Sequence, residues 1–492
     1  MRVLLVSTYE LGHQPLHLAA PASRLLAAGH DVRCLDLSVQ SLSDEDVAWA
    51  GAVALSVPMH TAYRLGHQVA QAVSALRPGI PIALYGLYAS LAGYAGALPE
   101  ASAAISGEYE EELLRWVDAL SADKAWVPLA PAPAPALDGC GARPALTVSF
   151  SRSRQRIPAR HLLPALEQYA KLALGADERL VGYVEASHGC SHRCRHCPVP
   201  TIYDGRTRLV GIDSMLADIE QLVRLGARHI TFGDPDFLNG PHHARRVIAA
   251  FGSSFPDLTF DVTVKIEHIL RHAHDGIWPT FARAGCLFVV SAVESANDEI
   301  LARLAKGHSA RDVEEAVRVL RASGIEPRPS FVPFTPWSTP EDILDIFEMI
   351  SDLDLVGNVD PVQLSIRLLV PPGSLLLTSG QLDGLVGPYD PKHASYSWTS
   401  PDPRLDSLQA ELSDVAERAS AQSWEPVEAY ETQLRTAQSR LGEHRPAREL
   451  RARPRGVSSR MAPAKRPRLT EAWFCCAEPT SAQLGSLRCG VP

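Results

Sequence analysis

The sequence lacks a strong net charge, a long apolar N-terminal run and a regular array of cysteines. Its 492 residues carry a formal net charge of −9, which is mild for this length and argues against a general nucleic-acid binder. The apolar run that begins at Val3 ends at Tyr9 and Glu10, so it is too short for a secretory signal peptide. We therefore expect no nucleic-acid partner and a cytoplasmic location.

An uninterrupted segment that would cross a membrane is also missing. Residues 78–99 contain no charged side chain and would be long enough for a transmembrane helix. Prolines and glycines interrupt the stretch, however, including Pro81, Gly86 and Gly93, and a lipid-exposed backbone does not tolerate so many breaks. We expect a buried strand followed by a loop and a short helix there, and no membrane partner.

The nine cysteines are unevenly distributed along the chain. They do not form the regular framework of a disulfide-rich secreted protein, and the pattern indicates a reducing compartment with one dense cluster of ligands. Three lie close together, three lie near the C-terminus and three are isolated: Cys190, Cys194 and Cys197; Cys475, Cys476 and Cys489; Cys34, Cys140 and Cys286.

Residues 1–122 alternate between short apolar strands and helical stretches. This alternation predicts an α/β domain with a doubly wound parallel sheet. Ligands of such sheets bind beyond the carboxyl ends of the strands. The predicted loops at those ends are 9–15, 58–61, 86–90 and 107–109.

The remainder of the chain divides into four predicted segments. Residues 123–178 contain a Pro/Ala-rich linker followed by a helix over Ala159–Leu174, and residues 179–400 contain six strand–helix repeats. Such repeats predict a partial parallel barrel, (β/α)6, with its active site at the C-terminal strand ends; its last strand is predicted at Val362–Leu369. Residues 401–443 form a helical extension, and residues 444–492 form a disordered tail that begins with a basic linker.

A CxxxCxxC motif formed by Cys190, Cys194 and Cys197 follows the first predicted barrel strand. Three thiolates on one tight loop can bind three irons of a 4Fe-4S cubane and leave the fourth iron open for chemistry, whereas an electron-transfer cluster is normally closed by four cysteines. Structural zinc is the alternative, but such sites use four ligands, commonly as two separated Cys-x-x-Cys pairs. Because no second pair is present, the iron–sulfur interpretation is favoured.

The motif and its position after a barrel strand resemble the signature of the radical S-adenosylmethionine (SAM) superfamily. The resemblance extends over residues 180–380 and implies SAM contacts from His196, Gly233, Asp234 and Glu294; Asp236, Lys265 and Lys306 also match family positions. The sequence departs from the family at residues 332–336, where a Gly-x-Pro-Gly-Glu-like turn is usual. The resemblance implies reductive cleavage of SAM to methionine and a 5′-deoxyadenosyl radical, which abstracts hydrogen from an unactivated carbon.

The N-terminal domain resembles the flavodoxin-like domain of the cobalamin-dependent branch of this superfamily. Ser56, Gly86, Gly107 and Glu108 match that branch, so the resemblance implies cobalamin binding between this domain and the barrel. The Asp-x-His-x-x-Gly cobalt-ligand motif is absent. No histidine is therefore nominated as the lower cobalt ligand, although His13 and His60 lie in loops at the strand ends. The alternative is a degenerate domain that only packs against the barrel.

The segment Trp473–Pro479 contains the adjacent cysteines Cys475 and Cys476. It resembles the tail of a small bacterial family, the CUAEP/CCAEP-tail radical SAM proteins, in which the second position is cysteine or selenocysteine. The occurrence of either cysteine or selenocysteine at this position would indicate redox or metal-ligand chemistry. Cys489 would then be a candidate resolving cysteine. A flexible tail with incidental cysteines is the alternative.

The sequence thus predicts a cobalamin-dependent radical SAM enzyme that transfers a methyl group to an unactivated centre. The enzymatic alternative is a rearrangement, cyclisation or oxidation without methyl transfer, and the non-enzymatic alternative is a metal- or cobalamin-binding regulatory module. The expected partners are a small-molecule or peptide substrate and an electron donor such as flavodoxin or ferredoxin. The sequence does not identify the substrate.

Overall fold

The N-terminal part of this computed structural model is a six-stranded parallel sheet with the order β2-β1-β3-β4-β5-β6. The structure describes residues 1–94, 100–130, 145–152, 155–442, 454–471 and 477–485. The strands are β1 (Arg2–Ser7), β2 (Asp31–Asp36), β3 (Ala52–Ser56), β4 (Ile82–Tyr85), β5 (Ala103–Gly107) and β6 (Ala145–Ser149). The accompanying helices are α1 (Leu16–Ala27), α2 (Asp44–Trp49), α3 (His60–Leu76) and α4 (Glu110–Ser121).

Both faces of this sheet are covered, which explains why its strands are continuously apolar. Alternate residues of β1 enter opposite cores: Val3 and Leu5 pack on one face, and Leu4 and Val6 pack on the other. The first five strands have the flavodoxin-like order 2-1-3-4-5. The predicted flavodoxin-like fold is therefore confirmed, and the loops that follow β1, β3, β4 and β5 line a cavity shared with the second domain.

A curled seven-stranded sheet forms the second domain, with the order β14-β13-β12-β11-β8-β7-β17. Its strands are β7 (Lys171–Leu174), β8 (Asp177–Val184), β11 (His229–Phe232), β12 (Thr259–Thr263), β13 (Cys286–Glu294), β14 (Glu326–Phe331) and β17 (Arg468–Leu469). Two short antiparallel pairs are β9 (Ser187–Gly189) with β10 (Thr207–Leu209) and β15 (Val386–Asp390) with β16 (Ser395–Trp398). Strands β8 and β11–β14 run parallel, which confirms the partial barrel.

The remaining helices of the described chain accompany the barrel and the segments that follow it. They are α5 (Val199–Tyr203), α6 (Ile212–Arg224), α7 (Pro241–Ser254), α8 (Ile266–Arg271), α9 (Ile277–Arg283), α10 (Asp298–Arg303), α11 (Ala310–Ala322), α12 (Pro340–Asp352), α13 (Leu375–Thr378), α14 (Pro403–Ala421), α15 (Pro426–Leu441) and α16 (Ser481–Leu484). Leu405, Leu408 and Leu412 of α14 belong to the barrel core, so the predicted helical extension is part of this domain. Among the described residues, every helix is too short or too polar to span a bilayer.

Two predicted elements are wrong. The helix predicted over Ala159–Leu174 is replaced by two 3-10 turns, Arg160–Leu162 and Leu166–Gln168, and then by β7. Pro164 lies between the turns, and a proline inside a helix removes a hydrogen-bond donor and clashes with the preceding turn. The sixth barrel strand was predicted at Val362–Leu369. The structure has the 3-10 helix Pro361–Ser365 there instead, followed by one isolated β-bridge between Arg367 and Phe334.

Two further segments differ from the predicted organisation. Strand β6 lies within the segment predicted as a linker and adds an edge to the N-terminal sheet. Residues 454–471 are packed rather than disordered: Arg466 is 2% exposed, and its guanidinium donates to the carbonyls of Asp354 and Val356 at 2.7 and 2.6 Å. Buried arginine donors need such acceptors, so tertiary contacts fix this basic stretch.

Candidate active site

A cavity of about 320 Å³ lies between the strand ends of the N-terminal sheet and the open end of the barrel. All four loops that the sequence analysis placed at the N-terminal strand ends contribute to its wall, through residues such as Glu10, Met59, Leu87 and Glu108. The barrel contributes the cysteine loop and the ends of its parallel strands. Because the carboxyl ends of both sheets face the same space, two ligand-binding edges share one cavity.

The three cysteines of the CxxxCxxC motif all line this cavity. Gly189, directly before Cys190, has a φ of +75°, and a Cβ there would collide with the Arg206 carbonyl, so only glycine suits this turn. The backbone N–H and the hydroxyl of Ser191 donate to Asn239 Oδ1 at 3.0 and 2.7 Å. The cluster loop is thereby tied to the turn that follows β11.

The three cysteines of the cluster loop form no disulfide bonds. Burial raises the pKa of Cys190 to about 12 and also raises the pKa of Cys194. A buried thiol becomes a thiolate ligand when a bound cation replaces its proton. The three sulfurs do not lie within 4.8 Å of one another, whereas thiolates on one tetrahedral zinc would be about 3.8 Å apart. Three sulfurs at this separation suit the three separate irons of a cubane better than a single zinc ion.

Glu294, at the end of β13, is a buried carboxylate held by two partners. Its φ is +70° at a β-bulge, which turns the side chain into the cavity. Oε1 lies 3.1 Å from His196 Nε2 and 3.0 Å from Lys306 Nζ. Burial by itself would raise the pKa of Glu294, but the Lys306 ammonium and the His196 hydrogen bond outweigh it and lower the pKa to about 2. The cavity therefore contains a fixed negative charge beside the cysteines.

Gly233 lines the cavity at the end of β11, but Asp234 does not. A Cβ at Gly233 would overlap the Tyr183 hydroxyl, so the glycine leaves room for that ring. The Asp234 carboxylate accepts from Ser187 Oγ at 2.6 Å and from the Ala186 N–H at 2.9 Å. Burial raises the pKa of Asp234 to about 7. In this structure Asp234 supports the start of the cysteine loop.

On the N-terminal side, the cavity wall includes Gly86, Gly107 and Glu108. Gly107 has a φ of +77°, and a Cβ there would collide with the Ser149 carbonyl of β6. Ser56 lies behind the wall, and its hydroxyl donates to Glu10 Oε1 at 3.4 Å. Of the residues predicted to contact cobalamin, the structure therefore brings all but Ser56 to the cavity surface.

A row of alternating acids and histidines, which the sequence did not predict, crosses the domain boundary. His17 lies 2.9 Å from Glu10 and 3.7 Å from Glu185, and His188 lies 3.2 Å from Glu185 and 3.0 Å from Glu108. We call these five residues the interdomain charge row. Both histidines are close to carboxylates from each domain, which neither domain's sequence reveals by itself. The one available signal was that Glu185 follows a buried strand.

The charge row contains ionised groups despite its burial. Burial alone would lower the pKa of His17, but Glu10 and then Glu185 reverse this effect and raise it to about 9. The pKa of His188 is raised well above its usual value because Glu108 and Glu185 outweigh burial. The same contacts outweigh burial at Glu185 and lower its pKa to about 2. Two imidazoliums are thus balanced by buried carboxylates at the cavity wall.

The two loop histidines also line the cavity. Burial lowers the pKa of His13 to about 4, and its ring packs 4.8 Å from the Tyr183 ring. Burial likewise lowers the pKa of His60 to about 4, and its Nε2 donates to the Ala394 carbonyl at 3.2 Å. His60 therefore joins the N-terminal domain to the C-terminal hairpin.

The cysteines of the predicted redox tail, Cys475, Cys476 and Cys489, lie outside the described residues. The residue after Cys476, Ala477, lines the cavity and pairs with Leu368. Gln483 also lines it and donates to the Tyr9 hydroxyl at 2.9 Å. The redox role of the tail stays a prediction, and Ala477 and Gln483 form part of the cavity wall.

Comparison with known proteins identifies the second domain. Residues 184–350 match the radical SAM superfamily. Over 205 residues the chain is 25% identical to a tRNA-2-methylthio-N(6)-dimethylallyladenosine synthase from Vibrio parahaemolyticus, covering 39% of this chain and 42% of that protein. It is 24% identical over 194 residues to a ribosomal protein uS12 methylthiotransferase from Opitutus terrae, covering 35% and 40%. The chain thus spans about two fifths of the length of these curated relatives.

Solved structures extend the similarity to the whole two-domain arrangement. The radical SAM methyltransferase TsrM from Kitasatospora setae has a TM-score of 0.56 and 20% identity, covering 72% of this chain and 71% of that one. The cobalamin-dependent radical SAM enzyme OxsB has a TM-score of 0.61 and 15% identity, covering 83% and 66%. At these identities the likeness establishes the fold. With the superfamily match, it identifies a radical SAM enzyme domain, whose cofactors are a 4Fe-4S cluster and SAM.

Proposed function

We propose that this protein is a cobalamin-dependent radical SAM enzyme that transfers a methyl group to an unactivated carbon or phosphorus centre. The observation that carries the proposal is the shared cavity, whose wall contains the cluster cysteines on one side and the Gly86 and Gly107 loops on the other. A methyl carrier and a radical generator must both reach one substrate. A single cavity between two ligand-binding strand edges provides that proximity.

Cys190, Cys194 and Cys197 would hold the cluster, since they share one loop and one cavity wall. When bound, a 4Fe-4S cluster and SAM supply one-electron reductive cleavage of the sulfonium. Lys265 and Lys306 both line the cavity, and each helps to counter the pKa rise that burial causes at Cys194. These cations favour the thiolate form that iron requires.

Glu294 is proposed to position the SAM amino acid moiety. Its carboxylate is ionised and fixed by His196 and Lys306, so it does not reorganise when a cationic group arrives. Preorganised charge in a site that excludes water is more effective than a flexible exposed carboxylate. Gly233 contributes space, because any side chain there would overlap Tyr183, which also lines the cavity.

The N-terminal loops are proposed to hold cobalamin through backbone and small side chains. The left-handed conformation of Gly86 and Gly107 permits a close backbone approach that residues with a Cβ do not allow. When bound, cobalamin supplies a cobalt centre that accepts and donates a methyl group. Neither His13 nor His60 is proposed as the lower cobalt ligand, because the first packs against Tyr183 and the second binds the Ala394 carbonyl.

The similar folds of TsrM and OxsB support this proposal. TsrM is described as a radical SAM methyltransferase and OxsB as a cobalamin-dependent radical SAM enzyme. The proposed substrate is a small molecule or a peptide, and the proposed electron donor is a flavodoxin or ferredoxin. The enzymatic alternative, a radical reaction without methyl transfer, would use the same cluster and SAM contacts.

Anaerobic purification and reconstitution test the first part of the proposal. We expect about four irons per chain and formation of 5′-deoxyadenosine after reduction, both lost in Cys194→Ala. The matched control is Cys34→Ala, which removes a cysteine outside the cavity and should leave both readouts unchanged. A colourless protein that binds zinc and no iron would overturn the proposal and indicate a binding module.

Product analysis separates methyl transfer from the alternative. With cobalamin bound, we expect S-adenosylhomocysteine and 5′-deoxyadenosine, because one SAM donates a methyl group and another is cleaved. Cobalt analysis of the wild-type chain and of Gly107→Val, whose side chain would displace β6 beside the N-terminal part of the cavity wall, tests where cobalamin binds. Formation of 5′-deoxyadenosine alone, with full cobalt occupancy, would reject methyl transfer and support the alternative.

A further inference from the structure

Three side chains of metal-ligand type converge behind the cluster loop and outside the cavity wall: His192, Asp236 and His268. His192 lies in the cluster loop, Asp236 begins the turn after β11, and His268 belongs to α8. One ligand atom from each residue lies within 4.8 Å of the other two, and no other group of three or more His, Cys, Asp or Glu residues in the described ranges meets this condition. The family resemblance includes the position of Asp236 but neither histidine, and the proposed function assigns no role to any of the three.

The two most buried members contain polar atoms that are not satisfied by hydrogen bonds. Asp236 is 0% and His268 is 4% exposed. Asp236 Oδ2 lies 2.8 Å from His268 Nδ1, yet the two atoms are not aligned for a hydrogen bond and neither has another hydrogen-bond partner. A buried carboxylate oxygen without a donor is costly. Two close atoms that do not point at each other are the arrangement expected when both point at one cation.

The third side chain completes a ligand set of suitable size. His192 Nε2 lies 3.6 Å from Asp236 Oδ2, and one ligand atom from each of the three residues lies within 4.8 Å of the others. The 3.3 Å contact between the two histidine rings is to His268 Nε2, the nitrogen that does not face Asp236. Nitrogen and oxygen ligands about 2.0–2.1 Å from a tetrahedral ion are about 3.3 Å apart, so the distances of 2.8 and 3.6 Å lie on either side of this value. His192 Nδ1 lies 3.8 Å from Glu267 Oε2, so the second ring nitrogen has a carboxylate nearby but not within hydrogen-bond distance.

We propose that His192, Asp236 and His268 bind a mononuclear divalent transition-metal ion, separate from the iron–sulfur cluster. Two imidazoles and one carboxylate suit Zn²⁺ or Fe²⁺. The ion would join the cluster loop to α8 and to the turn after β11, where Asn239 already accepts hydrogen bonds from Ser191. Its role would be to position the loop between Cys190 and Cys194, because each ligand lies on a different one of these three segments.

The test uses the full-length chain with Cys190, Cys194 and Cys197 replaced by alanine, so that the cluster contributes no metal. The chelator-treated protein is equilibrated with Zn²⁺, and bound zinc is counted by elemental analysis. Introducing His268→Gln or His192→Ala should lower the count by about one ion per chain. The matched control is His272→Gln, one turn beyond His268 and paired with Asp275, which should leave the count unchanged.

Thermal unfolding with and without Zn²⁺ distinguishes loss of the metal site from misfolding of the variant. Zn²⁺ should raise the melting temperature of the cysteine-free chain and of His272→Gln, and it should not raise that of His268→Gln, since metal binding stabilises only a chain with an intact site. An unchanged zinc count in both His268→Gln and His192→Ala would overturn the proposal and leave a hydrogen-bonded polar cluster. Failure of SAM cleavage or of cobalamin binding would not affect this result, because the test uses neither.

Discussion

His188 Nδ1 lies 3.0 Å from Glu108 Oε2 and joins the barrel to the N-terminal domain at the cavity wall. His188 precedes the first cluster cysteine by two residues, and Glu108 directly follows β5. The Tyr203 hydroxyl also donates to Glu108 at 2.9 Å. The conformation of the cluster loop is therefore coupled to the position of the N-terminal domain.

Because of the interdomain charge row, the folded protein should become less stable as the pH becomes alkaline. The folded-state pKa of His17 is about 9 against an ordinary value of 6.5. A raised pKa stabilises the folded state fully below 6.5, and the contribution is lost as pH rises through 9. We expect the melting temperature to fall between these pH values, and to fall less steeply in His17→Gln. Equal slopes for the two proteins would show that His17 does not titrate with folding.

Replacing Glu294 with glutamine should weaken SAM binding more than it weakens the fold. The change removes the charge that Lys306 and His196 hold in place. Loss of a charged hydrogen-bonding group corresponds to roughly a 10- to 100-fold increase in Kd, measurable by anaerobic calorimetry with reconstituted protein. Glu299→Gln, at a side chain that is 71% exposed, is the control. A Kd for SAM that stays the same in Glu294→Gln would contradict the assigned contact.

Gly233→Ala should disturb the cavity without removing a polar group. The added Cβ would overlap the Tyr183 ring, whose hydroxyl donates to Glu185 at 2.9 Å. We expect a lower melting temperature and slower SAM cleavage, since displacing the ring breaks this hydrogen bond. Gly211→Ala is the control, because its Cβ would have only one neighbour, Ser214 Oγ at 3.8 Å. Normal cleavage by Gly233→Ala would show that the ring moves freely.

Arg160 holds the two domains and α6 together through a buried ion pair. It is 1% exposed, its guanidinium donates to Asp218 at 3.0 and 2.8 Å, and it reaches Gln14 Oε1 at 3.3 Å. Arg160→Met leaves a buried carboxylate uncompensated, so we expect a loss of about 3–5 kcal/mol in the free energy of unfolding.

Denaturant titration checks this expectation against two further variants. The pair of Arg224 with Glu220 has side chains 64% and 60% exposed, and Arg224→Ala should cost about 0–1 kcal/mol. The double change Arg160→Met with Asp218→Leu should recover most of the loss, because no buried charge then remains. A double variant as unstable as Arg160→Met would point to lost packing rather than lost charge.

The sequence predicted the fold correctly where the spacing of apolar residues along the chain was regular. Alternation of apolar strands and amphipathic helices predicted the doubly wound parallel sheet of the N-terminal domain, because the spacing of apolar residues and the turn residues are local features of the sequence. It failed at Ala159–Leu174, where Pro164 interrupts an apparently helical stretch. It also missed β6 and β17, since edge strands form only when a partner strand is present.

The sequence by itself predicted the cluster ligands, because Cys190, Cys194 and Cys197 occupy one loop and their spacing alone brings them together. It also placed Gly86, Gly107 and Glu294 at strand ends, where parallel sheets bind ligands. Only the tertiary structure decided which polar groups meet across large sequence separations. Glu108 with His188, and Asp236 with His192 and His268, are brought together by packing of distant segments. Charge and ligand partners of this kind depend on three-dimensional proximity, which no local period or spacing encodes.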